Sequence, residues 1–333
     1  MQLLMAQPRT AVIEEASAPL RFQPMGPDVF GHNQPQELLA AIAEDGEPLV
    51  DLVDQHVVSI QAFRAETLLQ LFRLAAKFES NPDRYCRHNT PLSGKILINA
   101  FYEPSTRTRL SFDSAWHRLG GDSINITDRS TTGIAKGESL EDVAHMFNNY
   151  GDCVVLRDSN PEAVYAMSST LRIPIINAGN GIDEHPTQAM ADLYTMFKWR
   201  PSLASKEVSP KDRIRIGVIG LPSRMRTVRS LLRILSKFPQ ILEEVVVIHA
   251  PEMESEAPLF DPGSWRNWKQ AGCPSAAVQI WLLRFPIWMS FISMRLPGLA
   301  TATRCTAVDF VSPGICRSSR RRSCCIPWPG VPS

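Results

Sequence analysis

Cysteine is scarce through most of this 333-residue chain. Only Cys86 and Cys153 precede residue 264, although the chain contains 7 cysteines. Cys153 lies in an apolar, strand-like segment, where a small buried hydrophobic side chain is expected. The cysteines therefore indicate neither a disulfide framework nor a zinc site.

The chain also lacks a long uninterrupted apolar run. Arg9 and Glu14 fall within the first twenty residues, which lack the apolar core of a secretory signal. The apolar stretch at residues 280–299 is broken by charges and prolines, including Arg284 and Pro286, and this excludes a membrane-spanning helix. We therefore expect a cytoplasmic protein.

The chain has almost no net charge, because its formal charge at pH 7 is +1. This balance gives no reason to expect nucleic acid or an acidic membrane surface as a partner. The charges are nevertheless uneven: residues 1–263 carry 26 Lys+Arg and 33 Asp+Glu, whereas residues 264–333 carry 9 and 1. The length is sufficient for about two domains.

The composition changes after about Pro262. The later residues contain 5 of the 7 tryptophans, 5 of the 7 cysteines, 8 prolines counting Pro262, and no histidine. Such a segment has little amphipathic order and is a poor candidate for strands and helices. It resembles the product of a shifted reading frame.

Short apolar strands alternate with amphipathic helices in the middle of the chain. This pattern predicts an α/β fold with two doubly wound parallel-sheet domains. We place the first domain at residues 49–199 and a partial second domain at residues 200–262, with a linker at residues 200–212. Residues 1–48 are predicted to be a poorly ordered extension. The strands of the first domain are predicted at residues 95–102, 123–126, 153–157 and 172–177.

The run of residues 101–110, FYEPSTRTRL, places hydroxyl groups and arginines between a predicted strand and a predicted helix. The first N–H groups of a helix have no internal partner and favour an anion. Arg107 and Arg109 can each grip a phosphate group with two hydrogen bonds. An ordinary helix cap with two solvated arginines is the alternative.

Other polar residues follow the remaining predicted strands. In doubly wound sheets, ligands bind at the carboxyl ends of the strands. Each residue has a simpler explanation by itself, such as a solvated strand end or a helix cap, but the shared location predicts one site. The residues are Thr132 and Lys136 after the second strand, Arg157 at the end of the third, and His185 and Gln188 after the fourth.

The run at residues 101–110 closely resembles the carbamoyl-phosphate motif of the aspartate and ornithine carbamoyltransferases. With gaps, the resemblance extends from about Leu92 to about His249. It implies that residues 49–199 bind carbamoyl phosphate and residues 200–262 bind an amino acid. Thr187 favours the aspartate branch, because the ornithine branch usually has cysteine there.

The resemblance also implies a role for each candidate residue. Ser105, Thr106 and Arg107 would bind the phosphate group. Thr108, Arg157 and His185 would polarise the carbamoyl carbonyl group, and Gln188 would hold the carbamoyl nitrogen. Arg226 would bind the α-carboxylate of aspartate, although a cationic loop beside a helix start is the alternative.

The stretch Lys136-Gly137-Glu138-Ser139 resembles a loop that completes the active site of a neighbouring subunit. The resemblance therefore implies a homotrimer with shared sites and no metal or cofactor. Thr132 would be a further substrate ligand in this loop, which by itself reads as a solvated connection.

After about Pro262 the family pattern disappears, including the loop that binds the side chain of aspartate. The resemblance implies transfer of a carbamoyl group from carbamoyl phosphate to L-aspartate in pyrimidine biosynthesis, and the loss of the pattern implies impaired turnover. The alternative is a non-catalytic subunit that binds an anion or assembles with an active partner.

Overall fold

The computed structural model describes residues 35–84, 90–249, 260, 266, 268–271, 273 and 278–282. Within these ranges no helix is both long and apolar enough to cross a membrane. Most of the compositionally unusual tail and the first 34 residues lie outside the described residues.

Among the described residues, the α-helices before the first sheet are α1 (Pro35–Ala41), α2 (Glu47–Val50) and α3 (Ala65–Ser80). Leu38 in α1 is fully buried and Ile42 is almost so, and both belong to the largest hydrophobic core. This differs from the prediction of an extension reaching residue 48. The two apolar side chains anchor the segment, and the sparse periodicity of the surrounding residues concealed them.

The first sheet has four parallel strands in the order β2-β1-β3-β4, as the alternating sequence pattern predicts. The strands are β1 (Ile96–Phe101), β2 (Asp122–Ile126), β3 (Cys153–Asp158) and β4 (Ile175–Asn180). The helices between them are α4 (Thr106–Arg118), α5 (Leu140–Tyr150) and α6 (Ala163–Ser168). The hydroxyl of Ser139 accepts a hydrogen bond from the backbone N–H of Asp142 and so caps α5.

The last strand of this sheet is displaced from its predicted position. The sequence pattern predicts residues 172–177, whereas β4 begins after Pro174 and continues to Asn180. Its register against β3 shifts near Asp158, and Gly179 adopts a φ of 112°, a conformation that L side chains rarely adopt. The glycine therefore lies inside the strand and shapes its carboxyl end, instead of starting the following turn.

The second sheet is also parallel, in the order β5-β6-β7. Helix α7 (Pro186–Trp199) leads from the first sheet to β5 (Ile214–Ile219), followed by α8 (Arg226–Leu235), β6 (Leu242–His249) and β7 (Val278–Leu282). Strand β7 lies after Pro262, in the segment that the sequence marks as a poor candidate for strands and helices. Its residues have high β propensity, and the edge of β6 offers free backbone hydrogen-bonding groups.

The largest hydrophobic core joins α1, α3 and α7 to the second sheet. Phe197 in α7 is fully buried and makes edge-to-face contacts with Phe72 in α3 and Phe238 after α8, with ring centroids 5.7 and 5.4 Å away. The segment expected to be a polar linker also contributes, because Leu203 and Val208 are buried in this core. The domain boundary in this segment stays a prediction.

We expect Phe197→Ala to lower the free energy of unfolding by about 3–5 kcal/mol, because it leaves a cavity between two aromatic rings. Urea unfolding followed by circular dichroism measures the change. Tyr150→Ala is the control, since Tyr150 is 61% exposed and should change stability little. Equal losses in the two variants would contradict the central place of Phe197.

Candidate active site

The first turn of α4 has the free N–H groups that an anion needs. Ser105 is the N-cap residue, in an extended conformation with a φ of −159°, and its side chain caps no backbone N–H of the helix. Its position between β1 and α4 is the predicted one. The N-terminus of α4 therefore remains a candidate for binding an anion such as phosphate.

The structure distinguishes the two arginines of this motif. Arg107 is exposed, and its side chain forms no hydrogen bond or ion pair with the described residues. The side chain of Arg109 already has a partner, because its Nη1 donates a hydrogen bond to Oδ1 of Asn125 over 3.3 Å. Arg107 is thus the arginine that a ligand can engage without breaking a contact.

Glu103 joins two of the predicted site residues. Its Oε1 accepts hydrogen bonds from Nη2 of Arg157 at 2.6 Å and from Nη2 of Arg226 at 2.8 Å. Its Oε2 accepts from Nη1 of Arg226 at 3.0 Å. Because Glu103 follows β1 and Arg226 begins α8, one carboxylate connects the two sheets.

Glu103 did not emerge from the sequence, although it lies within the motif. An acidic residue beside a predicted phosphate site suggests repulsion, so the pattern gave it no role. The signal that could have identified Glu103 is the excess of cations predicted at the carboxyl ends of the strands. These cations need an anion to balance them when no ligand is bound.

The charges of this cluster depend on one another. Burial acts to raise the pKa of Glu103, but the hydrogen bond and charge of Arg226, together with Arg157, outweigh burial and lower the pKa. Burial and the nearby Arg226 lower the pKa of Arg157, while Glu103 opposes that change. The carboxylate therefore permits two guanidinium groups to lie close together.

Gly179 leaves space for both guanidinium groups, and Gly181 binds one of them. A Cβ atom on Gly179 would lie 3.2 Å from Nε of Arg226 and 3.3 Å from Nη1 of Arg157. The carbonyl of Gly181 accepts a hydrogen bond from Nη1 of Arg226 at 2.6 Å. The glycine-containing segment predicted as a flexible turn is thus a surface against which both guanidinium groups pack.

His185 lies beside this pair, at the N-cap of α7, and is 4% exposed. Its backbone N–H donates to Oγ of Ser230 in α8 over 2.8 Å. Burial lowers the pKa of the His185 imidazole to about 3, and the positive charges of Arg157 and Arg226 contribute. The ring is therefore neutral near pH 7 and can act there as a hydrogen-bond donor without carrying charge.

Glu184 fixes the turn that carries His185, and no sequence pattern assigned it a role either. This carboxylate is 2% exposed and accepts hydrogen bonds from Oγ of Ser59 at 2.6 Å and from the N–H of Ile60 at 3.0 Å. It also forms an ion pair with Arg233 in α8. An isolated Glu before His-Pro carries no pattern that would reveal these three distant partners.

The remaining predicted residues are less connected to this cluster. Nε2 of Gln188 donates to Oδ1 of Asp192 over 2.9 Å, and Thr108 is half-buried in α4. The hydroxyl of Thr132 donates to the carbonyl of Arg129 within its own loop. Lys136 is exposed and forms no hydrogen bond or ion pair with the described residues. The structure thus brings together Arg157, His185 and Arg226, whereas Thr132 and Lys136 form no hydrogen bond or ion pair with them.

The sequence is similar to those of known carbamoyltransferases. A family model described as "Aspartate/ornithine carbamoyltransferase, carbamoyl-P binding domain" matches residues 55–198. The catalytic subunit of aspartate carbamoyltransferase from Methanococcus aeolicus is 38% identical over 209 residues, which are 62% of each chain. A chloroplastic aspartate carbamoyltransferase from Pisum sativum is 33% identical over 250 residues, which are 73% of this chain and 62% of that protein.

Solved structures give the same result. Aspartate transcarbamoylase from Trypanosoma cruzi in complex with carbamoyl phosphate superposes with a TM-score of 0.58 and 30% identity, over 71% of this chain and 72% of that chain. The same enzyme with N-(phosphonacetyl)-L-aspartate gives a TM-score of 0.58 and 30% identity, over 73% and 70% of the two chains. The chain spans about 60% of the length of the curated relatives it matches.

We expect the environment of His185 to make the protein less stable as the pH falls from about 6.5 toward about 3. The unfolded chain gains a proton near its ordinary pKa of 6.5, whereas the folded chain resists protonation until about 3. Within this window the residue costs up to about 1.4 kcal/mol of stability per pH unit. His185→Gln should remove this loss.

Urea unfolding at pH 7, 6 and 5 measures the effect. The wild-type protein and a His145→Gln control, altered at an exposed position, should lose stability more steeply than His185→Gln. Parallel loss in all three proteins would show that His185 takes up a proton as readily in the folded state as in the unfolded state.

Proposed function

The chain belongs to the aspartate/ornithine carbamoyltransferase family, and from this we propose that it transfers a carbamoyl group from carbamoyl phosphate to the amine of L-aspartate. The products are N-carbamoyl-L-aspartate and phosphate, and the reaction serves pyrimidine biosynthesis. The observation that carries this proposal is the cluster of Glu103, Arg157, Arg226 and His185 beside the open N-terminus of α4.

In this proposal, the first turn of α4 binds the phosphate group. The side chains of Ser105 and Thr106 donate to phosphate oxygens together with the free backbone N–H groups. Arg107 supplies a charge-assisted contact and needs no rearrangement of protein contacts to do so. Residues 49–199 form the carbamoyl-phosphate-binding domain in this reading.

The carbonyl group of the donor is polarised by Arg157, His185 and Thr108. A neutral imidazole donates an N–H to the carbonyl oxygen, and the guanidinium group of Arg157 stabilises the negative charge that develops there. The amine nitrogen of aspartate bonds to the carbonyl carbon, the bond from that carbon to the phosphate oxygen breaks, and phosphate leaves with the proton from the amine. Correct placement of the two substrates supplies much of the acceleration.

Arg226 is proposed to bind the α-carboxylate of aspartate. It already holds the carboxylate of Glu103 in a two-point contact, which supports a preference for carboxylate groups at this position. Residues 200–262 would form a partial aspartate domain. Since the sequence after residue 262 departs from the family pattern, we propose that aspartate binds weakly and that turnover is slow.

We also propose a homotrimer in which the loop containing Thr132 and Lys136 completes the site of a neighbouring subunit. The exposed, unbonded side chain of Lys136 supports this proposal. So do the exposed Leu110 in α4 and Ile124 in the edge strand β2, which are 46% and 44% exposed and which a second copy could cover. The cytoplasmic location stays a prediction from the sequence.

We expect Arg107→Ala to weaken binding of N-(phosphonacetyl)-L-aspartate by about ten- to a hundredfold, because it removes hydrogen bonds to a charged group worth about 1.5–3 kcal/mol. Isothermal titration calorimetry measures the affinity. Arg118→Ala is the matched control, since Arg118 is also exposed but lies at the other end of α4.

The same protein preparation distinguishes the proposed transferase from the alternative, a non-catalytic subunit that binds an anion. Aspartate-dependent release of phosphate that falls in Arg107→Ala supports the transferase. Binding of inorganic phosphate without binding of the bisubstrate analogue favours the non-catalytic subunit. Binding of neither would contradict the phosphate site itself.

The shared-site proposal predicts that two defective variants restore each other. Arg107→Ala and Lys136→Ala homotrimers should each lose activity, whereas mixed trimers contain some sites built from one intact half of each chain. Phosphate release after subunit exchange should therefore exceed that of either variant alone. No gain on mixing, with exchange verified by native mass spectrometry, would show that Lys136 does not act across subunits.

A further inference from the structure

Asp192 lies one helical turn after Gln188 in α7 and is bonded to it. Nε2 of Gln188 donates to Oδ1 of Asp192 over 2.9 Å. Side chains four residues apart lie on the same face of a helix, so the pair is built into the helix geometry. Oε1 of Gln188 accepts no hydrogen bond within the described part of the chain.

Asp192 determines whether the oxygen or the nitrogen of the Gln188 amide faces away from the Asp192 carboxylate. A free glutamine can present either its oxygen or its nitrogen to a ligand, because the two orientations have similar shape. An ionised carboxylate only accepts hydrogen bonds, so Asp192 requires the amide nitrogen on its own side. The oxygen of Gln188 is then left for a ligand.

Burial favours the neutral form of Asp192, and the hydrogen bond from Gln188 favours the ionised form. Burial raises the pKa of Asp192, while the hydrogen bond opposes that rise. The hydrogen bond from Gln188 thus stabilises the ionised carboxylate, which can only accept hydrogen bonds. The orientation of Gln188 and the charge of Asp192 support each other.

Gln188 lies in the first turn of α7, three residues after His185, where α7 leaves the carboxyl end of the first sheet. His185 lies close to Arg157 and Arg226. A ligand held by those side chains therefore meets the beginning of α7. The nitrogen of a carbamoyl group carries two hydrogens and needs an acceptor, which Oε1 of Gln188 provides.

We propose that Asp192 is a positioning residue that holds the nitrogen of Gln188 and so directs its oxygen toward the carbamoyl NH₂ group. This arrangement selects a carbamoyl donor over an acyl phosphate that has a methyl group in place of NH₂, because a methyl group leaves Oε1 without a partner. The inference rests on the proposed function of this site.

Two stable phosphonates test the proposal by isothermal titration calorimetry on the full chain. Phosphonoacetamide keeps the NH₂ group, and (2-oxopropyl)phosphonate replaces it with methyl while keeping the carbonyl and phosphonate groups. The wild-type protein should bind the amide more tightly by about three- to tenfold, the usual effect of one hydrogen bond. Asp192→Asn should reduce this preference by about twofold, because asparagine can both donate and accept and so leaves two orientations of Gln188 with similar energy, of which only one offers Oε1.

The variants distinguish positioning from general damage. Asp192→Asn should weaken only the amide probe, Asp192→Glu should retain a preference, and Asp192→Asn should have no further effect in a Gln188→Ala background. Asp122→Asn is the matched control and should leave both affinities unchanged, because Asp122 is exposed.

Equal weakening of both probes by Asp192→Asn would overturn the proposal, as would a preference that the substitution leaves unchanged. A wild-type protein that binds both probes equally well overturns the positioning role alone, whether or not any variant folds. A wild-type protein that binds neither probe overturns the phosphate site and this inference with it.

Discussion

The carboxylate of Glu103 holds the guanidinium groups of Arg157 and Arg226 at one point, and the candidate site depends on this contact. Two buried or half-buried cations would repel each other and would lose the solvation that water gives them. Glu103 offsets both costs. Since it follows β1 while Arg226 begins α8, the same contact links the two sheets at the point where the proposed substrates meet.

The backbone around this contact is suited to close approach. Gly179 has no side chain that would displace either guanidinium group, and Gly181 presents its carbonyl to Arg226. The neighbouring His185 is then surrounded by positive charge in a buried place, which keeps its imidazole neutral. A neutral donor and a fixed cation suit a carbonyl group that develops negative charge, since neither must change protonation to stabilise it.

The sequence revealed much of the first sheet because its strands and helices carry strong local signals. Apolar runs separated by amphipathic helices indicate parallel strands, and the hydroxyl-rich motif was correctly placed at the junction of β1 and α4. The errors arose where long-range contacts prevailed. Strand β4 extends through Gly179, and α1 is held by Leu38.

The candidate residues for binding a small anion could be chosen from the sequence, because hydroxyl groups and arginines at a strand-to-helix junction have few other uses in such a pattern. Their partners could not. Glu103, Glu184 and Asp192 are single acidic residues whose local sequence gives no reason to single them out. Hydrogen bonds between distant segments give Glu103 and Glu184 their roles, and one helical turn and burial do so for Asp192.

The sequence by itself therefore determined the kind of chemistry, through the residue types placed after each parallel strand. Only the tertiary structure decided which of those groups are electrostatically coupled. Electrostatic coupling between Arg157, Arg226 and His185 depends on distance and burial, and both are set by how α8 packs against the carboxyl end of the first sheet.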